Sequence, residues 1–378
     1  MRILYIDSIC PFGHLALNRL YISTLVKEGF DVSLALKEGY YEALGAPGGT
    51  LKVTVPARWY DESAKQIQAR VNIWRALRYI RRRTDESDYD IIFLSSYEEI
   101  SLWAASFKTH CLIVNHANVA GLDHPVRRWF ARRLARNATG LVFAEFIRQR
   151  ALFHGIHGVQ VIPQGLVKRY APEADTKELL RSIDSRLAEA EWRHLVFVPS
   201  GAKYDDGFIG RVVDDADFLR FLRDRNIVLV IKSVELRSDC ENIIVFSKRL
   251  TAAQYQALFN ASTCLLLHYP ASFTYRVSAT LIECFSNDKA CLLSDIASFR
   301  AFAGKFRYDP FYDSQPALCA ALDRLLSAKD HIVRPYQSLE DQVLSFERLI
   351  HGRLYGPFAA KGSHGIANKP ISRDQHIR

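Results

Sequence analysis

The sequence predicts an α/β protein made of two Rossmann-like, doubly wound domains that face each other across a cleft. Short apolar segments alternate with helix-period segments along most of the chain, which is typical of parallel sheets covered by helices. The chain has 378 residues, more than one hydrophobic core usually serves. Hydrophobic residues make up 49% of the sequence, so each domain has enough apolar material for a core.

The first domain is predicted to span residues 1–168. A strand at the start of the chain leads into a loop that contains Pro11 and Gly13, and residues 15–27 have the apolar spacing of a helix. Further apolar runs follow at regular intervals. The strands predicted for this domain are 2–7, 31–36, 90–95, 111–115, 140–144 and 160–163.

The second domain is predicted to span residues 194–336, after a linker, 169–193, in which residues 171–190 have helical composition. A C-terminal helix that can cross back to the first domain is predicted within 337–361, and the polar tail 362–378 is expected to be frayed. The strands predicted for this domain are 195–199, 227–232, 243–246, 263–268 and 290–294.

The formal charge of +9 and the pI near 9.1 favour anionic partners. Two predicted amphipathic helices carry part of this positive charge. Three interpretations are compatible with them: an ordinary solvated helix face, a surface that contacts an anionic membrane, and a surface that contacts an acidic acceptor. Nucleic acid is disfavoured because no recognised binding motif accompanies the charge. The first helix has Arg75, Arg78, Arg81, Arg82 and Arg83 around Ile73, Leu77 and Ile80; the second has Arg128, Arg132 and Arg136 opposite Val126, Trp129, Phe130 and Leu134.

The cysteines indicate a reducing compartment. There are seven, an odd number, scattered mostly through apolar runs and without metal-ligand spacing. We therefore expect reduced core thiols, no disulfide framework and no metal site. The first strand is too short for a signal peptide and no apolar run is long enough to span a bilayer, so a cytoplasmic protein is expected, with membrane association on the cytoplasmic face as a further possibility.

The most informative segment joins the strand 263–268 to a helix that starts near Ser278, a good N-cap residue. The first amides of that helix, including those of Ser278 and Ala279, favour an anion, and Arg276 directly before them adds a charge-assisted contact for phosphate. Glu283 lies on the second turn, where its carboxylate can accept both hydroxyls of a ribose. The alternatives are a surface glutamate and a loop salt bridge of Arg276.

This segment resembles the retaining GT-B glycosyltransferases of family 4. That family has a glutamate, seven intervening residues and a second glutamate at the same junction; Glu283 matches the second, and Tyr275 stands where the first is expected. The run Ile282-Glu-Cys-Phe-Ser-Asn-Asp-Lys-Ala-Cys-Leu-Leu-Ser-Asp matches the helix and the next strand. Further similarities lie in 142–148, in 161–166, where Gln164 replaces the usual Asn or His, in 242–246 and in 250–258.

The resemblance implies a donor site for a nucleoside diphosphate sugar, and it assigns roles to several residues. His116 matches a cleft-facing histidine that contacts the donor sugar, and Tyr275 takes the position of a carboxylate that touches the same sugar. Both are therefore the candidate catalytic residues. Gly13 and His14 match a glycine loop beside the donor phosphates and the acceptor. A structural histidine at a strand end and an exposed loop histidine are the alternatives for His116 and His14.

The family also holds the donor diphosphate with an arginine and a lysine in the first loop of the second domain. Here Gly201 and Lys203 are present, but Ala202 stands where the arginine is expected. Lys232 competes with Lys203 for the phosphate role, and Arg276 can compensate for the missing arginine. The family works without a metal, and neither a metal nor another cofactor is expected here.

The predicted reaction is transfer of a hexosyl group from a UDP- or GDP-type sugar to a hydroxyl of a glycan or lipid-linked oligosaccharide in polysaccharide biosynthesis. Retention follows from the family, and Tyr275 leaves inversion open; inversion requires a base, for which His116, Glu98 and Glu99 are candidates. A nucleotide-sugar epimerase of the same fold and a non-catalytic sugar-nucleotide-binding protein are the rival functions.

Overall fold

A computed structural model gives the architecture of the chain. It describes residues 1–10, 12–45, 47–60, 65–167, 169–172, 175–189, 191–199, 207–327, 334–347 and 349–350. Residues Met1–Leu344 form one compact unit, which contains both sheets, and Ser345–Arg378 form a second.

The described residues contain thirteen strands in two sheets. The strands are β1 (Arg2–Asp7), β2 (Asp31–Lys37), β3 (Thr50–Val55), β4 (Ile91–Ser96), β5 (Cys111–Val114), β6 (Ala138–Val142), β7 (Val159–Val161), β8 (His194–Val198), β9 (Ile227–Lys232), β10 (Ile243–Phe246), β11 (Cys264–Leu267), β12 (Cys291–Ser294) and β13 (Phe311–Tyr312).

Helices connect these strands. The α-helices are α1 (Leu15–Lys27), α2 (Tyr40–Ala43), α3 (Gln66–Arg83), α4 (Glu99–Ala105), α5 (Pro125–Leu134), α6 (Glu145–Phe153), α7 (Thr176–Ile183), α8 (Arg186–Glu189), α9 (Phe208–Val213), α10 (Ala216–Asp224), α11 (Ala252–Ala261), α12 (Ala279–Ser286), α13 (Ala297–Arg300) and α14 (Gln315–Ser327). Short 3₁₀ helices cover Phe12–His14, Ala57–Trp59, Glu86–Asp88, Asn118–Gly121, Ala303–Lys305 and Glu340–Gln342.

The first sheet has the order β3-β2-β1-β4-β5-β6-β7, and every neighbouring pair is parallel. The chain moves outward from β1 to β3, then returns to pair β4 with the other side of β1. This reversal is the topological switch point of a doubly wound sheet, where ligands bind outside the carboxyl ends of the strands. Asp7 ends β1 and Ser96 ends β4 at that point.

The second sheet repeats the plan in the order β10-β9-β8-β11-β12-β13, again with all neighbouring pairs parallel. Its switch point lies between β8 and β11. Separate apolar clusters cover its two faces, so the inner strands are apolar on both sides. This explains why Cys264-Leu-Leu-Leu is continuously hydrophobic. The predicted fold class, two Rossmann-like α/β halves, is confirmed.

Several element predictions were wrong. The two-residue strand β13, at the edge of the second sheet, was not predicted. β3 was not predicted, because it is an edge strand whose buried and exposed residues alternate instead of forming a continuous apolar run. The single linker helix is two short helices, α7 and α8, separated at Asp184 and Ser185. The predicted C-terminal helix does not begin at 337: residues 337–346 contain only the 3₁₀ turn Glu340–Gln342, and helical geometry is seen at 347, 349 and 350.

The segment that leaves the first sheet is held against the end of α12. The Val167 amide donates to Ser286 Oγ at 2.9 Å, and the Tyr170 amide donates to Asn287 Oδ1 at 2.6 Å. An ion pair of 2.6 Å between Arg169 and Asp288 adds to these contacts. The connection between the halves is therefore fixed to the helix that starts at the switch point of the second sheet.

The two basic helices differ in how they pack. On α3, Leu77 and Ile80 are buried, as predicted, and the arginines lie outside. On α5, by contrast, no residue is fully buried, and Val126 and Trp129 are 48% and 45% exposed. The apolar stripe of α5 is thus partly a surface feature.

All seven cysteines lie among the described residues and carry free thiols, and five of them are buried. This agrees with the prediction of core thiols. In the described part of the chain, no helix is long and apolar enough to cross a membrane.

Gly165 is the glycine whose replacement we expect to be most costly. Its φ is +92°, and an added Cβ would lie 2.5 Å from Leu20 Cδ2 and 3.1 Å from Leu344 Cβ. Gly165→Ala should lower the free energy of unfolding by about 1 to 3 kcal/mol, measured by urea denaturation. Gly13→Ala is the control, because no atom lies within 4 Å of a Cβ there. An equal effect of both substitutions would contradict the assignment of strain to Gly165.

Candidate functional site

The carboxyl end of β1 is organised by Asp7, whose side chain is completely buried. Its Oδ1 accepts from the amides of Ile9 at 3.0 Å and Cys10 at 2.7 Å, and from the hydroxyl of Ser96. Its Oδ2 accepts from Asn18 Nδ2 at 2.5 Å. Because a buried carboxylate needs partners, these bonds fix the loop after β1 to the end of β4 and to α1.

Asn18, on α1, extends this network to Tyr5 on β1 and Tyr40 on α2. Its Oδ1 accepts from the Tyr5 hydroxyl at 2.7 Å, and its Nδ2 also donates to the Tyr40 hydroxyl at 3.0 Å. Burial raises the pKa of both tyrosines, so their hydroxyls stay protonated. The network is fully hydrogen-bonded at Asn18, which makes the switch point of the first sheet rigid.

Two histidines lie together beside this network. The rings of His14 and His116 are 4.3 Å apart between centroids, and the His116 ring is 5.6 Å from that of Phe143. His116 Nε2 lies 2.7 Å from the Ser95 carbonyl oxygen and must donate to it, since a carbonyl only accepts. This fixes the tautomer and leaves Nδ1 of His116 as an acceptor. His14 Nδ1 is buried and has no hydrogen-bond partner among the described residues.

Both histidines are held in the neutral form. Burial, followed by the charge that His14 can carry, lowers the pKa of His116 to about 3. Burial also lowers the pKa of His14, and the nearby Asp7 carboxylate opposes that shift. Two neutral imidazoles at a strand end can exchange hydrogen bonds with sugar hydroxyls, but they are weak bases at neutral pH.

The two carboxylates considered as alternative bases are engaged in structural contacts. Glu99 is completely buried and forms an ion pair with Arg127 at 2.9 Å, and it also accepts from Asn118 Nδ2 at 3.1 Å. Glu98 is the N-cap of α4, accepts from Ser101 and forms an ion pair with Arg70 at 3.0 Å. Glu99 cannot accept a proton from a substrate without losing these contacts. Glu98 would weaken its ion pair by doing so, although its buried Oε1 makes no hydrogen bond with the described residues.

At the switch point of the second sheet, α12 begins as predicted. Ser278 is its N-cap: its buried hydroxyl accepts from the Leu281 amide at 3.3 Å and lies 3.1 Å from the Tyr269 hydroxyl. The amides of Ala279 and Thr280 have no acceptor among the described residues, and Ala279 is exposed. The Ser278 side chain thus shapes the helix end, and the free amides remain available to an anion.

Arg276 lies directly before this helix end. Its guanidinium carbon is 5.6 Å from the centre of the Phe273 ring, and its buried Nε has no hydrogen-bond partner among the described residues. No described acidic residue forms an ion pair with it, so the alternative of a loop salt bridge receives no support. A buried guanidinium nitrogen without an acceptor, three residues before free helix amides, is an arrangement that an anion such as phosphate can satisfy.

Glu283, on the next turn of α12, is held by two tyrosines. Its Oε1 accepts from the Tyr170 hydroxyl at 3.2 Å and its Oε2 from the Tyr255 hydroxyl at 2.9 Å. Burial raises the pKa of Glu283, although both hydrogen bonds oppose the shift. Each carboxylate oxygen retains capacity for one further hydrogen bond. The alternative of a surface glutamate is wrong, because Glu283 has specific partners from the linker and from α11.

Tyr275 contacts the first half of the molecule. Its ring lies 6.3 Å from that of Phe146 and 5.1 Å from the Arg150 guanidinium, and with Val277 it packs against the cluster around α6. Among the described residues, no hydrogen bond is made by its hydroxyl. The loop before α12 therefore bridges the two halves at Tyr275.

The remaining predicted site residues divide into two groups. Gly13 is exposed within the 3₁₀ helix Phe12–His14, with open space around it, so the predicted glycine loop is a short helical turn. Gly201 and Lys203 lie outside the described residues, and their predicted phosphate roles stay predictions.

Sequence reasoning missed Asp7 and Asn18, along with the tyrosine partners of Glu283. Asp7 carried a usable signal: a carboxylate at the end of a wholly apolar first strand implies a buried, hydrogen-bonded group. Asn18, Tyr170 and Tyr255 carried none, because their importance depends on which distant residues they contact.

Comparison with solved structures identifies the fold. HepE from Anabaena in complex with UDP and glucose is similar with a TM-score of 0.63 and 11% identity, over 94% of this chain and 99% of that chain. A glycosyltransferase from Rickettsia africae is similar with a TM-score of 0.60 and 12% identity, over 96% and 99% of the two chains. The UDP-GlcNAc 2-epimerase from Methanocaldococcus jannaschii has a TM-score of 0.56 and 12% identity, over 94% and 99%.

These similarities define the class: the chain has the GT-B fold, which glycosyltransferases and sugar-nucleotide epimerases share. No protein-family model and no curated protein sequence matches the chain. The assignment to family 4 and the reading of Tyr275 as a replaced glutamate therefore stay predictions.

The pKa of His116 gives a test of its environment. Since the folded pKa is about 3 and the unfolded value about 6.5, the unfolded chain binds more protons between these limits, and stability falls as the pH drops below about 6.5. Between pH 7 and pH 5 this residue should lower the free energy of unfolding by roughly 2 kcal/mol. His116→Gln keeps a donor for the Ser95 carbonyl but does not titrate, so urea unfolding of this variant should lack that decrease. The same pH dependence in both proteins would show that His116 is not buried and neutral.

Proposed function

We propose that this protein is a glycosyltransferase that moves a hexosyl group from a nucleoside diphosphate sugar, of UDP or GDP type, to a hydroxyl of a glycan or lipid-linked oligosaccharide. A role in polysaccharide biosynthesis in the cytoplasm follows from these substrates. The donor binds at the start of α12, and the acceptor lies at the switch point of the first sheet. No metal or cofactor is required by the proposal.

The observation that carries the proposal is the arginine before α12. Arg276 has a buried guanidinium nitrogen without a partner, next to the free amides of Ala279 and Thr280. A diphosphate satisfies all three at once, and the positive end of the helix dipole adds to the attraction. Complexes of HepE with UDP-glucose show that this fold accommodates a sugar nucleotide in that protein.

Glu283 supports the recognition of the nucleoside. Its two oxygens already accept from Tyr170 and Tyr255, which orient the carboxylate and lie at 3.2 and 2.9 Å. The remaining lone pairs suit the two neighbouring hydroxyls of a ribose. Because Tyr170 belongs to the segment that joins the halves, donor binding and the position of the linker are coupled in this proposal.

In the proposed reaction, the bond between the anomeric carbon and the diphosphate oxygen breaks, and a bond to the acceptor oxygen forms. Arg276 and the helix amides stabilise the negative charge that develops on the leaving diphosphate. The acceptor proton passes to a leaving phosphate oxygen on the same face, which gives retention. The state of the candidate bases supports this course, since Glu98 and Glu99 are engaged and His116 is a weak base.

The paired histidines fit the sugar and acceptor side. His116 Nδ1 can accept from a sugar hydroxyl, and its Nε2 is held by Ser95. The His14 ring lies beside that of His116, and its buried Nδ1 has no hydrogen-bond partner among the described residues. An unpaired nitrogen of this kind is expected where a group meets a substrate hydroxyl.

A patch on α4 and α5 suits contact with an anionic membrane. Trp103, Val126 and Trp129 are 43%, 48% and 45% exposed, and the Trp103 and Trp129 rings lie 5.8 Å apart. The Arg133 guanidinium lies 4.9 Å from the Trp129 ring. Tryptophan beside arginine is typical of the interfacial layer of a bilayer, where a lipid-linked acceptor is presented.

Epimerisation of a sugar nucleotide is the second candidate, because the epimerase from Methanocaldococcus jannaschii shares the fold over 94% of this chain. The two reactions differ in their need for an acceptor. A transferase releases more nucleoside diphosphate when an acceptor is added, whereas an epimerase converts the donor sugar without one.

The donor site is tested by isothermal titration with UDP and GDP, together with release assays on UDP- and GDP-sugars with and without lipid-linked acceptors. Arg276→Ala should weaken diphosphate binding by about 10- to 100-fold, because it removes a charge-assisted contact. Arg220→Ala is the control: it removes an equal charge from an exposed pair with Asp217. Unchanged binding in Arg276→Ala, or no release from any donor by folded protein, would refute the proposal.

Glu283→Ala should also weaken nucleotide binding, by roughly tenfold or more. The substitution orphans two tyrosine hydroxyls as well, so Tyr255→Phe serves as its control: it removes one of those bonds and keeps the carboxylate. Nucleotide affinity should fall in Glu283→Ala and stay within about threefold in Tyr255→Phe. Equal losses in the two variants would show that the carboxylate acts only through packing.

Tyr275 was predicted to be catalytic, and its contacts suggest that the ring positions the loop before α12. Tyr275→Phe keeps the contacts with Phe146 and Arg150 and should retain turnover within about threefold, whereas Tyr275→Ala should lower it at least tenfold. Initial rates of nucleoside diphosphate release decide the matter. A severe loss in Tyr275→Phe would instead assign chemistry to the hydroxyl.

A further inference from the structure

A basic, aromatic groove runs along α3, outside the site described above. We define the α3 groove by Arg58, Trp59, Trp74, Arg75, Arg78 and Arg82; Gln68, Asn72 and Tyr79 also line it. Its volume is about 720 Å³, large enough for an oligosaccharide segment of several rings.

The arginines of the groove have no acidic partner among the described residues. Arg58, Arg75, Arg78 and Arg82 are exposed, and none forms an ion pair with an acidic residue that the structure describes. Two other arginines of the same helix are paired: Arg70 with Glu98 at 3.0 Å and Arg81 with Glu86 at 2.6 Å. The unpaired charge is therefore concentrated on the face that lines the groove, which favours an anionic ligand.

Aromatic rings form part of the same surface. The Trp59 and Tyr79 rings are 5.2 Å apart, and the Arg58 and Arg78 guanidinium groups lie 5.5 and 5.2 Å from the rings of Trp59 and Trp74. All three aromatic side chains are partly exposed. An indole face packs against the apolar face of a sugar ring, while a neighbouring guanidinium binds a carboxylate or phosphate on it.

The groove amides complete a carbohydrate site. Gln68 Nε2 donates to Asn72 Oδ1 at 2.8 Å, which leaves both side chains with further capacity towards hydroxyls. Aromatic faces, amides and unpaired arginines together match a polymer that is both hydroxylated and acidic.

The groove starts at the candidate reaction site. Tyr60, directly after Trp59, donates from its hydroxyl to the Asp7 carbonyl at 3.5 Å, at the end of β1. From there α3 runs away from the carboxyl edge of the sheet, and Gln68 and Arg82 are about 20 Å apart along its axis. The Trp59 end of the groove is therefore next to the residue that contacts the end of β1.

The shape favours an oligosaccharide over a bilayer surface. The apolar side chains Ala76, Leu77 and Ile80 of α3 are buried within the protein, and the groove is concave. A helix that lies on a membrane instead presents its apolar face outward. On α3 the exposed large apolar side chain is Ile67 alone, in the first turn.

We propose that the α3 groove binds an anionic oligosaccharide, with its sugar rings on Trp59 and Trp74 and its acidic groups on Arg75 and Arg78. The binding site stands on the groove itself. Its further role, as the site that holds the acceptor glycan during transfer, rests on the proposed function.

Binding is tested by isothermal titration of the full chain with tetragalacturonic acid, an acidic tetrasaccharide, and with the α-1,4-linked galactose tetramer, its neutral counterpart. The acidic sugar should bind at least tenfold more tightly than the neutral one. Arg75→Ala with Arg78→Ala should weaken that binding at least tenfold, and Trp74→Ala should weaken it about fivefold. Arg148→Ala with Arg220→Ala, which removes the same charge from exposed ion pairs elsewhere, should change it less than twofold.

Equal affinity for the two sugars, or equal losses in the test and control double variants, would overturn the proposal. Vesicles of 30% phosphatidylglycerol in phosphatidylcholine form a second arm, as does a 15-nucleotide poly-dT strand. If the Arg75 and Arg78 variants lose vesicle or poly-dT binding and keep tetragalacturonate binding, the groove serves a different partner and the proposal fails.

The nucleoside diphosphate release assay keeps the two proposals separate. If no donor is turned over but the groove variants lose tetragalacturonate binding, the proposed function fails and the anionic glycan site stands. If donors are turned over and the groove variants bind tetragalacturonate like the parent protein, the proposed function stands and the anionic glycan site fails. Thermal unfolding of each variant confirms that it is folded.

Discussion

The first half of this protein depends on one buried carboxylate. Asp7 lies at the switch point of the first sheet, completely buried, and no described cation forms an ion pair with it; two backbone amides, the Ser96 hydroxyl and the Asn18 amide satisfy it instead. These four bonds reach three elements, so β4, α1 and the loop after β1 are fixed by a single group. That loop carries His14, and the adjoining strand end holds His116 through Ser95. The geometry of the histidine pair is thus set by Asp7.

The second half uses the opposite electrostatic arrangement. At the start of α12, the amides of Ala279 and Thr280 and the Nε of Arg276 have no hydrogen-bond acceptor among the described residues. One half therefore satisfies its buried charge within the protein, whereas the other has donors that a ligand could satisfy. The linker joins them physically, because Tyr170 donates to Glu283 through its side chain and to Asn287 through its backbone. In the proposed function, a nucleotide bound at the start of α12 would lie next to this linker.

Local features of the sequence were sufficient for several correct predictions. The start of α12 follows from a capping serine, and the inner strands follow from continuous apolar runs, since both signals are confined to a few neighbouring residues. β3 escaped prediction because its alternating pattern at the sheet edge is a weaker signal. The partners of Glu283 escaped because Tyr170 and Tyr255 lie 113 and 28 residues away along the chain. Pairing over such separations depends on how the chain folds back, which composition and spacing do not encode.

The sequence by itself therefore determined the α/β class, the plan of two parallel sheets and the start of α12. Each of these depends on backbone propensity, apolar periodicity or a helix end, which are properties of contiguous residues. Tertiary structure decided the rest: that Asp7 is a structural centre, that Glu98 and Glu99 are engaged, and that Tyr275 packs on α6. A side chain acquires such a role only when distant elements bring its partners within about 3 to 6 Å, which requires the folded chain.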